Sequence, residues 1–159
     1  MEIVDDRAIL IKTRRPHLIT ESIKKSAVVD EQDGMYDVLI NWGLKEAQGL
    51  AKLNVKNVPS TIKRDYTWTG KHAPFAHQKE TASFLTLYHR AFCFNEQGTG
   101  KTASVIWAAD YLMKIGEVKR VLVICPLSIM KPAWQADLFK FAMHLSLIHI
   151  SEPTRRYAI

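Results

Sequence analysis

Apolar and polar positions change their spacing several times along this chain. Over 8–12, 27–30 and 36–40 the apolar residues come in short, β-branched runs (Ile9-Leu10-Ile11, Val28-Val29, Val38-Leu39-Ile40), which predicts strands. Asp33-Gly34 between the last two is a tight-turn signal for a hairpin, and Pro16 interrupts the connection after the first. Residues 1–41 therefore read as a small β-rich module. From 43 to 53 the spacing turns helical, with Leu44, Ala47, Leu50 and Ala51 on one face. A polar stretch over 54–71, with Pro59 and Gly70, reads as a connector. From Pro74 the order becomes helix (76–89), strand (90–94), loop, helix (102–115, stopped by Gly116), strand (119–125) and helix (132–143). Ala82, Leu85 and Tyr88 recur at helical spacing in the first of these. Val121-Leu122-Val123-Ile124 is continuously apolar, as a strand covered on both faces requires. A strand–helix–strand order implies a right-handed crossover, so the expected fold class is α/β with a parallel sheet, preceded by the small β-rich module.

The loop within this pattern carries the chemistry. Asn95-Glu96-Gln97-Gly98-Thr99-Gly100-Lys101-Thr102 follows an expected strand and opens an expected helix. That is the setting in which a phosphate-cradling loop works. Glycines let the backbone curl around an anion, and the N–H groups of the helix start point at one place, where the helix dipole also favours negative charge. Lys101 is expected to reach the β- and γ-phosphates, and the Thr102 hydroxyl to ligate Mg²⁺. The strict pattern wants Gly at the first position, where this chain has Asn95. The Gly-x-Gly-Lys-Thr core remains, and it predicts binding of a nucleoside triphosphate.

Composition narrows the setting. Of the 159 residues, 47% are hydrophobic and 24% charged, ordinary values for a chain with a packed core. The formal net charge of +6 permits a nucleic-acid partner without requiring one. Cys93 and Cys125 sit in apolar runs and read as reduced, buried residues of an intracellular, cytoplasmic protein. The longest apolar run, 121–130, contains Pro126 and is too short to cross a bilayer, so no membrane partner is expected. His72, His77 and His89 lack companions at metal-ligand spacing and read as surface or packing residues.

Three motifs occur in order: Pro74-Phe75-Ala76-His77-Gln78, the loop 95–102, and Ile124-Cys125-Pro126-Leu127-Ser128 followed by Trp134-Gln135-Ala136-Asp137. This arrangement over roughly 66–144 resembles the start of the first RecA-like domain of a superfamily 2 helicase, of the Swi/Snf-type DNA translocases, in the blend found in bacteria and bacteriophages. The resemblance implies an ATP-dependent DNA helicase or translocase, with ATP and Mg²⁺ as cofactors and DNA, in duplex form, as partner. Residue by residue it implies that Gln78 reads adenine, that Asn95, Glu96, Gln97, Gly98, Thr99, Gly100, Lys101 and Thr102 form the nucleotide site, and that Ser128 touches the nucleic-acid phosphate chain. Ordinary roles stand beside these: Gln78 as a solvent-facing helix-start residue, Ser128 as a helix N-cap. Trp134 reads as packing. Tyr66 and Trp68 could stack on adenine or dock the N-terminal module.

The resemblance also implies parts this chain does not carry: an Asp-Glu-x-x box and the arginines of a second RecA-like domain, which hydrolysis requires. Leu145-Ser146-Leu147-Ile148-His149-Ile150-Ser151-Glu152-Pro153-Thr154-Arg155 looks like the translation of a sequencing-library adapter. The expected organisation is thus an N-terminal module and connector over 1–65, the first part of an ATP-binding RecA-like domain over 66–144, and a non-native tail over 145–159. A fragment so built is expected to be inactive by itself. Two rival readings share the loop: a viral DNA-packaging ATPase, and a non-catalytic nucleotide- or DNA-binding module whose working part is 1–65.

Overall fold

The structure is a computed structural model that describes residues 1–148. It is mixed α/β, and its sheet is antiparallel. Strands β1 (Glu2–Val4), β2 (Ala8–Thr13), β3 (Ser26–Gln32) and β4 (Met35–Asn41) lie in the order β1-β2-β4-β3. Helix α1 (Pro16–Ser22) fills the β2–β3 connection. Pro16 opens it instead of merely breaking the chain, because a helix start needs no N–H there and the ring's fixed φ already suits the helix. Asp33 (φ 51°) and Gly34 (φ 72°) form the hairpin turn between β3 and β4, with both central residues in the left-handed region as a two-residue type I′ connection demands.

Alternation in β2 and β4 explains which side is covered. Ile9 pairs with Ile40 and Ile11 with Val38, and all four side chains are buried on one face. Ile19 and Ile23 close over that face, together with Trp42 and Leu50. The edge strand β3 is exposed over 27–32 and carries Asp30 and Glu31, charges that discourage pairing with another chain.

Helix α2 (Leu44–Lys52) joins this core to a second one. Leu50 belongs to the sheet core, whereas Leu44 packs with Ile62, Tyr66, Ala82, Ala103, Trp107, Ala108 and Tyr111. The second core lies between α4 (Ala76–Leu87) and α5 (Lys101–Lys114). On α4 the buried face is Thr81, Ala82, Ser83, Thr86 and Leu87. Leu85 is half-buried and Tyr88 exposed, so the buried stripe is displaced from the one the apolar spacing marks.

The polar stretch does connect the two cores, and the middle of this strap is buried although its flanks are exposed. It contains a short helix α3 (Ile62–Asp65), and Ser60, Thr61, Ile62 and Tyr66 are all buried. Its polar groups are paired: Ser60 Oγ with Thr86 Oγ1 at 2.6 Å, Thr61 Oγ1 with Tyr111 Oη at 2.7 Å. The Trp42 indole donates to the Pro59 carbonyl at 2.9 Å, and the Trp107 indole to the Thr69 carbonyl at 2.8 Å. Small hydroxyls that find partners can be buried at little cost, which is why polarity alone misreads this segment.

Asp110, 1% exposed, is the most enclosed charge. Its carboxylate accepts from Tyr66 Oη at 2.5 Å, lies 2.9 Å from Lys114 Nζ, and meets His144 Nε2 at 2.7 Å. Burial by itself would raise the Asp110 carboxyl, but the hydrogen bonds from Tyr66, Lys114 and His144 outweigh it and hold the group below the usual aspartate range. Burial and the bond to Asp110 push the Tyr66 phenol well above its ordinary value.

The expected strands 90–94 and 119–125 pair with nothing among the described residues, so no parallel sheet is formed there. Phe92 (81% exposed), Phe94 (89%), Leu122 (78%) and Ile124 (89%) face outward. Cys93 and Cys125, expected to be buried, are half-buried and free. After 119–125 the chain forms α6 (Leu127–Ile129), a wider π-helical turn (Met130–Gln135) and α7 (Ala136–Phe141). Pro132 within that turn cannot donate to the helical ladder, a reason for the wider winding. Of the segment 145–159, residues 145–148 carry no helix or strand, and 149–159 lie outside the described residues.

Asp110→Asn should destabilise the chain by about 2–4 kcal/mol in a denaturant titration, since the buried Tyr66 hydroxyl loses a charged acceptor and the half-exposed Lys114 and His144 lose their ionic partner. Because the folded carboxyl sits below its unfolded value, the stabilisation is full above about pH 5 and is lost as pH falls through the lowered value. Acid unfolding of Asp110→Asn should be correspondingly flatter than that of wild type.

Candidate phosphate-binding loop

The loop 95–102 is suspended between α4 and α5. Gly100 (φ 76°) precedes α5 in the left-handed region, and Gly98 (φ 77°) adopts the same region two residues earlier. The two glycines answer different needs. A Cβ on Gly98 would meet open space, so only its backbone angle calls for glycine. A Cβ on Gly100 would lie 2.2 Å from Gln78 Nε2, so a side chain here would push the Gln78 amide from its place in addition to straining the backbone.

The loop's carbonyls are turned onto donors. Lys101 Nζ reaches the Asn95 carbonyl at 2.8 Å and the Glu96 carbonyl at 2.7 Å, and Thr99 Oγ1 donates to the Glu96 carbonyl at 2.8 Å. The Thr99 carbonyl accepts from His77 Nε2 at 3.0 Å and from Gln78 Nε2 at 3.2 Å. The Gly100 carbonyl accepts the Ser104 N–H at 3.2 Å. By contrast, the N–H groups of Gly100, Lys101, Thr102 and Ala103 find no acceptor among the described residues, and no side chain caps α5. These are the orphan donors of a helix start. Carbonyls satisfied and N–H groups open is the polarity an anion site requires.

Among the described residues the Thr102 hydroxyl likewise has no hydrogen-bond partner, and it sits half-buried at the first turn of α5. Glu96 and Gln97 are exposed and their side chains bond to nothing described. Asn95 departs from the strict motif yet holds the loop in place. Its Nδ2 donates to Thr81 Oγ1 at 2.8 Å, tying the loop's first residue to α4. The partners of the Lys101 ammonium are thus neutral carbonyls, weaker acceptors than an anionic oxygen.

Gln78 is committed on both ends. Its Oε1 accepts the Phe75 N–H at 3.0 Å, which satisfies a backbone donor at the α4 start, and its Nε2 holds the Thr99 carbonyl. Ser128 is apart from this cluster: it is exposed, in the single turn Leu127–Ile129, and no bond links it to the loop. Trp134 is half-buried. Tyr66 and Trp68 are structural: their rings meet edge to face at 5.3 Å, and Trp68 meets Trp107 at 5.7 Å. His72, His77 and His89 are all exposed, and His77 also bonds to the loop. His77 and Thr81 are not legible as loop partners from the sequence, because both lie in the preceding helix, fourteen or more positions away.

Two surface cavities lie away from the loop: about 290 Å³ beside Leu138 and Met143, and about 530 Å³ beside Gln48, Lys52 and His89. Among the described residues no group of three or more acidic, histidine or cysteine side chains could hold a metal ion. No helix of the described residues is long and apolar enough to cross a membrane. Comparison with protein-family models, with curated proteins and with solved structures gives no match for this chain.

Gly98→Ala and Gly100→Ala should separate backbone strain from close approach. The first should cost about 1–2 kcal/mol of stability and leave the Gln78 bonds intact. The second adds displacement of the Gln78 amide, and its signature is a change of the Gln78 side-chain amide resonance from its wild-type position in an NMR spectrum.

Proposed function

We propose that this chain binds ATP with Mg²⁺ through residues 95–102, as the ATP-binding part of a helicase-like DNA translocase. The observation that carries the reading is the loop's polarity: the carbonyls of Thr99 and Gly100 are engaged by donors, and the N–H groups from Gly100 to Ala103 stay open beside Lys101 and Thr102. In this reading the open N–H groups and the α5 dipole take the phosphates, Lys101 leaves the Asn95 and Glu96 carbonyls for the β/γ oxygens, and Thr102 supplies one Mg²⁺ ligand. The residues present fit that group of ligands, since the backbone donors are unsatisfied and the hydroxyl has no partner among the described residues.

The remaining assignments rest on the three ordered motifs. Gln78 keeps one amide hydrogen and one oxygen lone pair for an adenine edge beyond its two loop and cap bonds. Ser128 and the residues near it would meet the phosphate chain of DNA. The apolar runs 90–94 and 119–125 would supply neighbouring strands of the parallel sheet of a RecA-like domain. Their exposed Phe92, Phe94, Leu122 and Ile124 support this, because such side chains normally pack against further structure. An intracellular location suits a DNA-tracking ATPase.

The test is binding, measured by isothermal titration of the chain with Mg·ATP. Lys101→Ala should weaken binding about tenfold or more, the worth of a charge-assisted hydrogen bond. Thr102→Ala should weaken it only when Mg²⁺ is present. Wild-type affinity in Lys101→Ala would overturn the reading.

A further inference from the structure

We propose that His77 is a positioning residue of the phosphate loop, acting with Gln78 to fix the Thr99–Gly100 peptide. The proposal deepens, and rests on, the reading of 95–102 as a nucleotide site. His77 Nε2 lies 3.0 Å from the Thr99 carbonyl oxygen and Gln78 Nε2 3.2 Å from the same atom. A carbonyl only accepts, so Nε2 must carry the hydrogen. Two donors from neighbouring positions of α4 thus occupy both lone pairs of one oxygen. In a trans peptide the carbonyl and the following N–H point in opposite directions. With the Thr99 carbonyl held toward α4, the Gly100 N–H is turned away from α4, into the set of open donors that continues through Lys101 and Thr102.

One donor would leave this peptide free to rock about a single bond; two define its plane. The imidazole is itself held. Its ring stacks on Phe75, with centroids 5.7 Å apart and planes within 11°, which aims Nε2 at the loop. Thr81, one turn further along α4, receives Asn95 Nδ2 and anchors the other end of the loop to the same helix. Residues 77, 78 and 81 therefore present one edge of α4 to the loop, with His77 at its exposed end.

The test uses the full chain, with inorganic pyrophosphate and Mg·ATP as probes and the Gly100 amide resonance as a ligand-free readout. His77→Phe keeps a ring to stack on Phe75 and removes the donor; His77→Gln restores a donor. The clamp predicts that His77→Phe shifts the Gly100 amide and weakens pyrophosphate and ATP by the same factor, about three- to tenfold, with little change in Tm, and that His77→Gln recovers most of both. Pyrophosphate affinity unchanged in His77→Phe overturns the proposal, as does ATP affinity that falls while pyrophosphate affinity does not, which would make His77 a base contact. Failure of His77→Gln to restore the resonance also overturns it. If wild type binds neither probe, the nucleotide reading fails; the Gly100 resonance then decides the clamp, a reversible shift upholding it and no shift overturning it.

Discussion

A buried carboxylate organises the half of the molecule that carries the loop. Asp110 lies on α5 and takes donors from three places: Tyr66 in the strap, Lys114 one turn along its own helix, and His144 beyond α7. An enclosed charge without partners costs several kcal/mol, so these elements are held in register by the need to satisfy it. Trp107, three residues earlier on α5 and 1% exposed, reinforces the same junction through its indole bond to Thr69 and its ring contacts with Trp68 and Phe141. The position of α5 fixes the position of its first turn, and hence of the open N–H groups at Gly100 to Ala103. A network placed two to three turns away thereby determines where the candidate site points.

The loop is set from its other side by α4, whose first turns are occupied with holding it. This division suits a phosphate-binding loop: one helix offers its N–H groups, and the other absorbs the carbonyls that would repel an anion. Both of its glycines take left-handed backbone angles, and Gly100 in addition lies close to the Gln78 amide. The unpaired runs 90–94 and 119–125 flank these two helices and leave four large apolar side chains facing outward. The well-packed part of the described structure is therefore the sheet core, the strap and the α4–α5 pair, and the stretches that would build a parallel sheet are the least covered.

Much of the N-terminal half is legible from local pattern. Short β-branched runs mark the strands that hold Ile9, Ile11, Val38 and Ile40, Asp33-Gly34 names its own turn, and the helical face of α2 is buried where its spacing puts it, at Leu44, Ala47, Leu50 and Ala51. These signals are short-range, because pleat, turn and helix periods act over a few residues. Helix α1 escapes the pattern because a proline that reads as a break is a first helical residue. The strap escapes it because its hydroxyls look exposed until their partners on α4 and α5 are known.

The loop's chemistry is written in the chain alone: glycines at two left-handed positions, a lysine and a threonine at a helix start, all within eight consecutive residues. Backbone conformation and helix polarity follow from neighbours, so such a motif is readable without a fold. Tertiary packing decides which groups the loop leans on. His77, Gln78 and Thr81 meet it across a helix-to-loop interface, Asn95 gains a use from one of them, and Asp110 gains its donors from positions 44 residues before and 34 after it. Those contacts depend on how helices pack, a long-range outcome of burying Trp107 and Ile62 together, which no local spacing encodes.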